Sequence, residues 1–422
     1  MIFISFLGTG NYKTCNYLYK EQHCDGVAYI QTAARTLLAP EAEQSFIFVT
    51  TEAKEKHLEQ LQQEAQKFNL PKMEPITIPK GASEKELWEI FETISTQIPE
   101  GAEIVFDITH SFRSLPLLIT ILLNYLSVVK HTTIKQCCYG AFETLGFLQD
   151  VENMPASERN APIFNLTPFF ALNDWARAIY DFTRYGHAEQ LAGLISNQLS
   201  EILSDPANRN SNNNTLQSAS KTIKKFSNFI HTSNCRELCK MDIKKSISDR
   251  LAPLSPDIVP PLVPIFDQIK RFFANYENSS PLNGIRAAAW CAEINLIPQG
   301  FTLLQESIVS IELEPHRQQL EEEGLTEAKR QREFISALLA IQKDADEWKG
   351  DLKEYRLYGE NIRAEWKESF LKDYDSITKY RNQVNHGGTN PTQKLDSNSI
   401  GDNLKQLTRK MLTYYDIQTE DK

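Results

Sequence analysis

The segment Arg381-Asn382-Gln383-Val384-Asn385-His386 places an arginine and a histidine five positions apart, directly before Gly387 and Gly388. Arginine carries a permanent, fork-shaped charge that suits a phosphate, and histidine exchanges a proton near neutral pH. Such a pair suits RNA cleavage by the 2′-hydroxyl without a metal ion. The glycines predict the end of a helix that begins near Leu371, with His386 in its last turn. Ordinary helix capping by basic residues is the alternative interpretation.

A second polar cluster, Asp107-Ile108-Thr109-His110-Ser111-Phe112-Arg113-Ser114, separates two apolar runs. Hydroxyl groups next to a helix N-terminus suit a phosphate or the edge of a nucleobase. A helix N-cap accounts for Ser114 but not for Thr109, His110 and Arg113 together. The cluster therefore predicts a binding site.

A third candidate, Gly8-Thr9-Gly10-Asn11, directly follows the first apolar run of the chain. Two glycines permit a tight turn and let a ligand approach the backbone. Lys13 stands where a dinucleotide-binding fingerprint has its third glycine, and no P-loop motif is present in the sequence. A plain strand-to-loop turn is the alternative interpretation of these residues.

A metal site is the interpretation that we reject for His231, Cys235 and Cys239. These residues recur every four positions, which predicts that they share one helix face. Structural zinc requires four ligands, and no second Cys/His cluster follows, so a partly buried helix face is favoured and no metal site is predicted.

The seven cysteines lack framework spacing, and the N-terminus does not resemble a signal peptide, which predicts a cytoplasmic protein with free thiols.

Strand and helix patterns alternate over the first 165 residues. The predicted strands are Ile2–Leu7, Ser45–Thr50, Glu74–Ile78, Glu103–Ile108 and Thr133–Ala141, and the predicted helices are Ala28–Leu38, Glu52–Phe68, Ser83–Gln97 and Leu115–Val129. This alternation predicts an α/β domain with a mostly parallel sheet and helices on both faces. Two of the three candidate sites would then lie at strand ends, where open α/β sheets bind ligands.

After Pro168 the strand pattern stops, which predicts a helical region over 169–422. Ala171–Leu203 predicts one helix, and the polar, Asn-rich stretch near 205–220 predicts an exposed loop. Lys221–Arg250 contains eight Lys or Arg and three Asp or Glu, and it is interpreted as a basic insertion.

Charge and hydropathy restrict the partners. The net charge is −10, so the chain does not coat nucleic acid non-specifically, and any RNA contact must come from a local basic region. Leu115–Val129 is too short to span a membrane and contains Asn124, which favours a buried helix and no membrane partner.

Taken together, these motifs resemble those of the ancillary ribonucleases of type III CRISPR systems, which pair an N-terminal CARF sensor domain with a C-terminal HEPN nuclease domain. Residues 6–12 resemble the first ligand loop of the family, and residues 107–111 resemble its D-x-T-H-G signature, with Ser111 in place of the glycine. Residues 381–386 resemble the HEPN R-x4–6-H motif, and residues 139–143 resemble a strand end of these sensors. The stretch from about 200 to 360 adds little to the resemblance.

The resemblance implies a Rossmann-like CARF domain over 1–168 and an all-α region with a HEPN domain over 169–422. It implies that a cyclic oligoadenylate, made by a Cas polymerase complex that senses foreign RNA, binds across a CARF dimer and activates the protein. Cyclic tetra-adenylate is the first expectation and the hexa-adenylate is the alternative. The implied ligand-binding residues are Gly8, Thr9, Gly10, Asn11, Thr109, His110, Ser111 and Arg113.

The same resemblance implies an endoribonuclease of antiviral defence, active as a homodimer or a higher homo-oligomer. It would cut single-stranded RNA without metal and leave a 2′,3′-cyclic phosphate and a 5′-hydroxyl. His386 would move protons or orient the 2′-hydroxyl, Arg381 would stabilise charge on the phosphate, and Asn382 would hold the pair in place.

Two alternatives remain open at the sequence level. The first is a CARF-type regulator that binds DNA through Lys221–Arg250, which would leave Arg381 and His386 without a purpose. The second is a ring nuclease that degrades the cyclic oligoadenylate with Thr109 or nearby groups, an activity that does not exclude the first function.

Overall fold

The computed structural model describes residues 1–110, 115–204, 212–249, 263–389 and 396–417. The chain divides into two compact units, Met1–Asn173 and Asp174–Lys422. The division falls five residues after Pro168, where the strand pattern of the sequence stops.

The first unit contains an eight-stranded sheet. Its strands are β1 (Ile2–Leu7), β2 (Cys15–Tyr19), β3 (Gln22–Val27), β4 (Gln44–Val49), β5 (Glu74–Thr77), β6 (Glu103–Asp107), β7 (Thr133–Gly140) and β8 (Asn160–Asn165). They lie in the order β3-β2-β8-β7-β6-β1-β4-β5. The pairs β2–β3 and β7–β8 are antiparallel and the others are parallel, so the predicted, mostly parallel sheet is confirmed.

Helices cover both faces of this sheet, as predicted. They are α1 (Ile30–Leu38), α2 (Thr51–Lys67), α3 (Glu84–Gln97), α4 (Leu115–Val129) and the short α5 (Leu148–Asn153). Side chains alternate along a strand, and β1 accordingly directs Phe3 and Leu7 into one core, with α1 and α2, and Ile4 and Phe6 into the other, with α3 and α4. Burial on both sides explains why β1 is a continuous apolar run.

Three strands were not predicted. The strands β2 and β3 form a hairpin at one edge of the sheet, and Lys20 turns it with a φ of 54°. In β3 only Cys24 and Val27 are buried, so the segment shows no apolar run in the sequence. The strand β8 contains Pro162 and lies between β7 and β2. The pairing of β2 with β8, which is distant in the chain, places the hairpin in the sheet.

The helix α4 is buried on one face only, whereas a fully buried helix was predicted. Leu122 and Leu126 are inaccessible, but Leu117 is 71% exposed and Ile121 is 54% exposed. Within the described residues, no helix is both long enough and apolar enough to cross a membrane.

The second unit is helical, as predicted. Its described helices are α6 (Thr167–Tyr185, which begins in the first unit), α7 (Glu189–Ser204), α8 (Asn212–His231), α9 (Cys235–Cys239), α10 (Val263–Phe273), α11 (Leu282–Glu293), α12 (Ile297–Leu313), α13 (Arg317–Glu322), α14 (Ala328–Ala340), α15 (Asp351–Glu354), α16 (Arg356–Glu365), α17 (Glu368–Asn385) and α18 (Ile400–Tyr414), with a short π-helix at Lys244–Ser248.

The structure corrects two sequence interpretations in this unit. The single helix predicted over Ala171–Leu203 is two helices, because Gly186 adopts a φ of 78° between α6 and α7. The Asn-rich stretch predicted as a loop is helical from Asn212 onward, while residues 205–211 lie outside the described residues. The helix forms because its later turns bury Phe226 and Ile230 in the core.

The described part of the basic segment, residues 221–249, contributes buried side chains to the core of the second unit. Phe226 lies against Phe273, with ring centroids 5.1 Å apart, and against Trp290 at 5.7 Å. The lysines of α8 lie on its exposed side, and Lys221, Lys224 and Lys225 are all exposed.

Candidate functional site

The loop that follows β1, with Gly8 and Gly10, meets the loop that follows β6, with Thr109 and His110. The two loops meet at the carboxyl ends of these strands. The strands β1 and β6 are parallel neighbours, so the loops that follow them leave the sheet side by side. A Cβ added to Gly8 would lie 3.4 Å from the Cβ of His110, which is close packing between the two loops. Gly8 and Gly10 do not adopt positive φ angles, so close approach, rather than a left-handed turn, is what a glycine provides at Gly8.

A buried carboxylate, that of Asp107, holds the loop after β6 in place. Asp107 is inaccessible, and its two oxygens accept hydrogen bonds from Ser5 Oγ at 2.7 Å and from the backbone N–H of Thr109 at 3.0 Å. Burial raises the pKa of this carboxyl group, although its hydrogen bonds with Thr109 and Ser5 oppose the shift. Asp107 therefore holds the loop after β6 against β1.

The hydroxyl of Thr109 takes part in the hydrogen bonds that hold this loop. It donates a hydrogen bond to Asp107 and accepts one from the backbone N–H of Gly140 at 2.8 Å. A side chain at Gly140 would collide with Ile30, because an added Cβ would lie 2.4 Å from its Cδ1. Thr109 thus joins the ends of β6 and β7, and its hydrogen bonds position the loop after β6.

Tyr12 covers the place where the two loops meet. Its hydroxyl accepts a hydrogen bond from the backbone N–H of Gly8 at 2.8 Å. Its ring contacts three others, with centroid distances of 4.6 Å to Tyr29 and 4.7 Å to both His57 and His110, and the two imidazoles meet it edge to face. Burial raises the pKa of the Tyr12 hydroxyl, so this group is neutral and acts as a hydrogen-bonding group.

The two imidazoles beneath Tyr12 are neutral at physiological pH. Burial, and to a smaller extent the nearby His57, lowers the pKa of His110 to about 4. Burial also lowers the pKa of His57, whose Nδ1 lies 3.4 Å from the Tyr29 hydroxyl. A neutral imidazole offers one donor and one acceptor, which suits the edge of a base better than a phosphate.

The rim of this site is exposed and carries a cation. Thr9, Gly10 and Asn11 are exposed, and a Cβ added to Gly10 would meet nothing within 4 Å. The ammonium group of Lys56, on α2, donates a hydrogen bond to the carbonyl of Thr9 at 2.8 Å. The remaining predicted residues of this site, Ser111 and Arg113, lie outside the described residues.

The second candidate site is the C-terminus of α17. The helix begins at Glu368, ends at Asn385, and has His386 as its C-cap rather than in its last turn. Gly387 and Gly388 adopt φ angles of 61° and 69° and donate hydrogen bonds to the carbonyls of Val384 and Gln383. Left-handed glycines end a helix in this way, which matches the prediction from the sequence.

Arg381 and His386 differ in their burial and in their position around the helix axis. Arg381 is half-buried and donates a hydrogen bond from Nη1 to the Asn382 Oδ1 at 3.2 Å. Its Nε is buried and has no hydrogen-bond partner among the described residues. The side chain of His386 is exposed. Five positions correspond to about 500° of rotation along a helix, which separates the two side chains by about 140° around the axis.

Contacts with two neighbouring helices hold α17 in position. Tyr374 is inaccessible, and its hydroxyl lies 3.3 Å from the Ser336 Oγ, on α14. From α12, Gln305 donates to the Thr378 hydroxyl at 3.1 Å. The helix that carries the Arg–His pair is thus anchored by polar contacts on its buried side.

A basic groove lies between the first turns of α17 and the length of α18. The cavity has a volume of about 1240 Å³, and its charged lining residues are Lys367, Lys405, Arg409 and Lys410 together with Asp373 and Asp402. The Lys410 ammonium forms an ion pair with Asp373 at 2.6 Å. At one end Tyr414 stacks on Phe370, with ring centroids 4.2 Å apart and planes 12° apart. Cations beside a stacked, partly exposed aromatic ring suit a single-stranded nucleic acid.

The three residues considered for zinc do not share one helix. The helix α8 ends at His231 and α9 begins at Cys235, because Ser233 adopts a φ of 54° between them. The Nδ1 of His231 lies 2.9 Å from the carbonyl of Ser227, and the two cysteine sulfurs are 3.7 Å apart. In the described part of the chain, no group of three or more His, Cys, Asp or Glu residues is placed to hold a metal ion.

Comparison with known proteins points to one biological context. A family model described as "CRISPR-associated protein MJ1674, second domain" matches residues 171–280. The CRISPR-associated protein MJ1674 of Methanocaldococcus jannaschii is 26% identical over 241 residues, which cover 54% of this chain and 32% of that relative. These matches support a CRISPR-associated protein. The chain aligns with about a third of the length of this curated relative.

The match of the family model falls on a stretch that the sequence analysis left without a function. Residues 171–280 contain none of the three motifs, and the described part of this stretch includes buried residues such as Phe182, Phe226 and Phe273. Gln31 and His57 were not predicted, because they lie on α1 and α2 without any local signal of a site. Tyr12 belongs to the predicted ligand loop, residues 6–12, but it was not among the predicted binding residues.

Proposed function

We propose that this CRISPR-associated protein is a metal-independent endoribonuclease that a cyclic oligoadenylate activates. The observation that carries the proposal is the end of α17, where a half-buried arginine with an unpartnered Nε stands five positions before an exposed histidine. A CARF-type sensor in the first unit and a HEPN nuclease in the second account for both candidate sites.

The proposed reaction is an internal transesterification of single-stranded RNA. His386 takes the proton of the 2′-hydroxyl, the 2′-oxygen bonds to phosphorus, and the bond from phosphorus to the 5′-oxygen breaks. A second imidazole, from the other copy of the chain, gives a proton to the leaving 5′-oxygen. Arg381 stabilises the negative charge that develops on the phosphate, and Asn382 orients the guanidinium group through its hydrogen bond. The products are a 2′,3′-cyclic phosphate and a 5′-hydroxyl.

The basic groove supports this substrate. The whole chain has a net charge of −10, so a polyanion is attracted only where cations are concentrated. Lys405 and Arg409 supply such charges on α18, and the Tyr414 ring offers a surface on which a base can stack.

The exposed face of α4 supports a homodimer. Leu117, Ile121 and Tyr125 recur at a spacing of four along α4 and are 71%, 54% and 43% exposed. Phe91 of α3 contacts Tyr125 at a ring distance of 5.3 Å, and the neighbouring Trp88 is 70% exposed. A contiguous apolar face of this kind is typical of a subunit interface, and a two-fold axis there places two copies together.

The site at the edge of the sheet supports the activator. Backbone groups and the Lys56 ammonium at its rim suit phosphates, and the neutral imidazoles beneath Tyr12 suit a base. Cyclic tetra-adenylate is the ring that we propose, with the hexa-adenylate as the alternative.

Cleavage of a fluorescent single-stranded RNA tests the proposal. We expect cleavage by the full chain only with a cyclic oligoadenylate, unchanged by EDTA and absent in His386→Ala. The matched control is His23→Ala, since His23 is an exposed histidine of β3 outside both candidate sites. Cleavage that EDTA abolishes and magnesium restores would contradict the metal-independent mechanism.

The same assay separates the alternatives. Binding of duplex DNA without RNA cleavage would indicate a regulator, and loss of the cyclic oligoadenylate without RNA cleavage would indicate a ring nuclease. The ribonuclease is preferred because only this function uses Arg381 and His386.

A further inference from the structure

Three buried polar atoms around Tyr12 have no hydrogen-bond partner among the described residues. They are the Oε1 of Gln31, the Nε2 of His57 and the Nε2 of His110. Buried polar atoms without partners are uncommon, because their loss of water is not compensated. Three such atoms around one side chain indicate a place where a polar ligand binds.

Each of the three belongs to a side chain that contacts Tyr12. The imidazoles of His57 and His110 lie edge to face against the Tyr12 ring, each at a centroid distance of 4.7 Å. The amide group of Gln31 lies close enough to the Tyr12 hydroxyl to form a hydrogen bond with it. The fourth neighbour, Tyr29, lies 4.6 Å away with its ring tilted by 39°. Tyr12 therefore occupies a pocket that has the size of one aromatic ring.

The hydrogen bonds of Gln31 determine what this pocket can recognise. Gln31 is inaccessible to solvent, and its amide nitrogen donates to the carbonyl of Phe6 at 2.6 Å. The amide oxygen is the atom that remains, and an oxygen only accepts hydrogen bonds. An exocyclic amino group, as in adenine, satisfies this oxygen, whereas a carbonyl group at the same position repels it.

The loop that carries Tyr12 is able to release it. Thr9, Gly10 and Asn11 are exposed, and the Tyr12 hydroxyl is tied to the same loop through the backbone of Gly8. We expect a shift of this loop to open the pocket while the core cluster beneath Tyr12 keeps its packing, because exposed loop segments open at lower cost than core elements.

We infer that Tyr12 fills a nucleobase pocket in the ligand-free protein and that an adenine base of the activator displaces it. Gln31 accepts a hydrogen bond from the amino group of the base, and the neutral imidazoles of His57 and His110 bond to its ring nitrogens. This inference rests on the proposed function, because it specifies how the sensor site recognises its ligand.

Calorimetric titration of the full chain with cyclic tetra-adenylate and cyclic tetra-inosinate tests the inference. The two rings differ in that inosinate has a carbonyl where adenylate has the amino group. We expect the wild type to bind the adenylate at least tenfold more tightly, and Gln31→Met to lose this preference. Equal binding of the two rings by the wild type would overturn the role of Gln31, and this comparison needs no variant.

The affinity of Tyr12→Ala for cyclic tetra-adenylate tests the role of Tyr12. We expect Tyr12→Ala to bind cyclic tetra-adenylate at least tenfold more tightly, because the pocket is then open in every molecule. Tyr180→Ala, a change of an exposed tyrosine in the second unit, serves as the control and should bind as the wild type does. Weaker binding by Tyr12→Ala would show that the ring is a ligand contact and would overturn the inference.

RNA cleavage measured in parallel separates this inference from the proposed function. If both rings bind equally and activate cleavage, the function stands and the pocket assignment fails. If neither ring binds the wild type, both fail together.

Discussion

At the scale of single residues, buried and half-buried groups support the site at the carboxyl ends of β1 and β6. Asp107 holds Thr109, and Thr109 holds Gly140, so the ends of β6 and β7 are joined by side-chain hydrogen bonds in addition to the ladder. His110 stays neutral above this network because it is buried. We therefore expect stability to depend on the Thr109 hydroxyl and on the protonation of His110.

Removing the hydroxyl of Thr109 should destabilise the first unit. Thr109→Val keeps the shape of the side chain but leaves the buried N–H of Gly140 without its partner. We expect a loss of about 1–3 kcal/mol in the free energy of unfolding, measured in urea. Thr222→Val is the control, because the Thr222 hydroxyl only bonds to the carbonyl of Ser218 in its own helix, and it should change stability by about 0.5 kcal/mol or less. Equal losses in both variants would contradict a bridging role.

Acidification should destabilise the protein through His110. The native pKa is about 4 and the unfolded pKa is 6.5, so between these values the unfolded state binds a proton that the native state does not. Stability is therefore lost as the pH falls from 6.5 to 4, by about 2–3 kcal/mol in total. His57 acts in the same direction, whereas Asp107, whose pKa is raised, acts in the opposite one. Unfolding measured across this range should show a smaller loss in His110→Gln; an unchanged pH profile would disprove the assignment.

At the scale of elements, α4 and α17 have surfaces that their own unit does not use. The helix α4 buries one apolar face against the sheet and exposes another. The helix α17 is anchored on its buried side and presents His386 at its exposed end. Both features are explained if a second copy of the chain completes the interface and the active site.

A charge placed on the exposed face of α4 should separate the copies. Ile121→Glu puts a carboxylate between Leu117 and Tyr125, and burying that charge in an interface is costly. We expect self-association to weaken at least tenfold in analytical ultracentrifugation, with RNA cleavage lost in parallel. Leu357→Glu changes an exposed leucine of α16 and should leave the face of α4 intact. A dimer of undiminished affinity in Ile121→Glu would exclude α4 from the interface.

At the scale of the whole molecule, the sensor site and the catalytic site that we propose belong to different compact units. The ligand-loop residues lie in Met1–Asn173, and Arg381 and His386 lie in Asp174–Lys422. Communication between two such sites is a coupling free energy, so either site can be removed while the other persists.

Two variants should separate these roles. Gly10→Glu fills open space at the rim with a carboxylate that repels phosphate, so activation should require at least tenfold more activator. His386→Ala should abolish cleavage but bind the activator normally, because the sensor is intact. Gly193→Glu, at a similarly open glycine, is the control. Titration of activator against cleavage and binding decides the matter; normal activation of Gly10→Glu would remove Gly10 from the ligand site.

The sequence alone determined the features that depend on neighbours along the chain. All five predicted strands end within one residue of their positions in the structure, because apolar runs report burial directly. The end of α17 at Gly387 and Gly388 follows from the left-handed backbone that glycine accepts.

Tertiary structure alone decided which distant residues meet. The strands β2 and β8 pair with each other across about 140 residues, and β3 joins the sheet only through its hairpin with β2, so their place in the sheet is not evident from a local apolar run. Tyr12, Gln31, His57 and His110 come from four separate segments, and the parallel order of β1 and β6 brings them together. A residue's type and spacing record its own burial, whereas its contacts depend on the order in which strands pair, and that order is a property of the whole sheet.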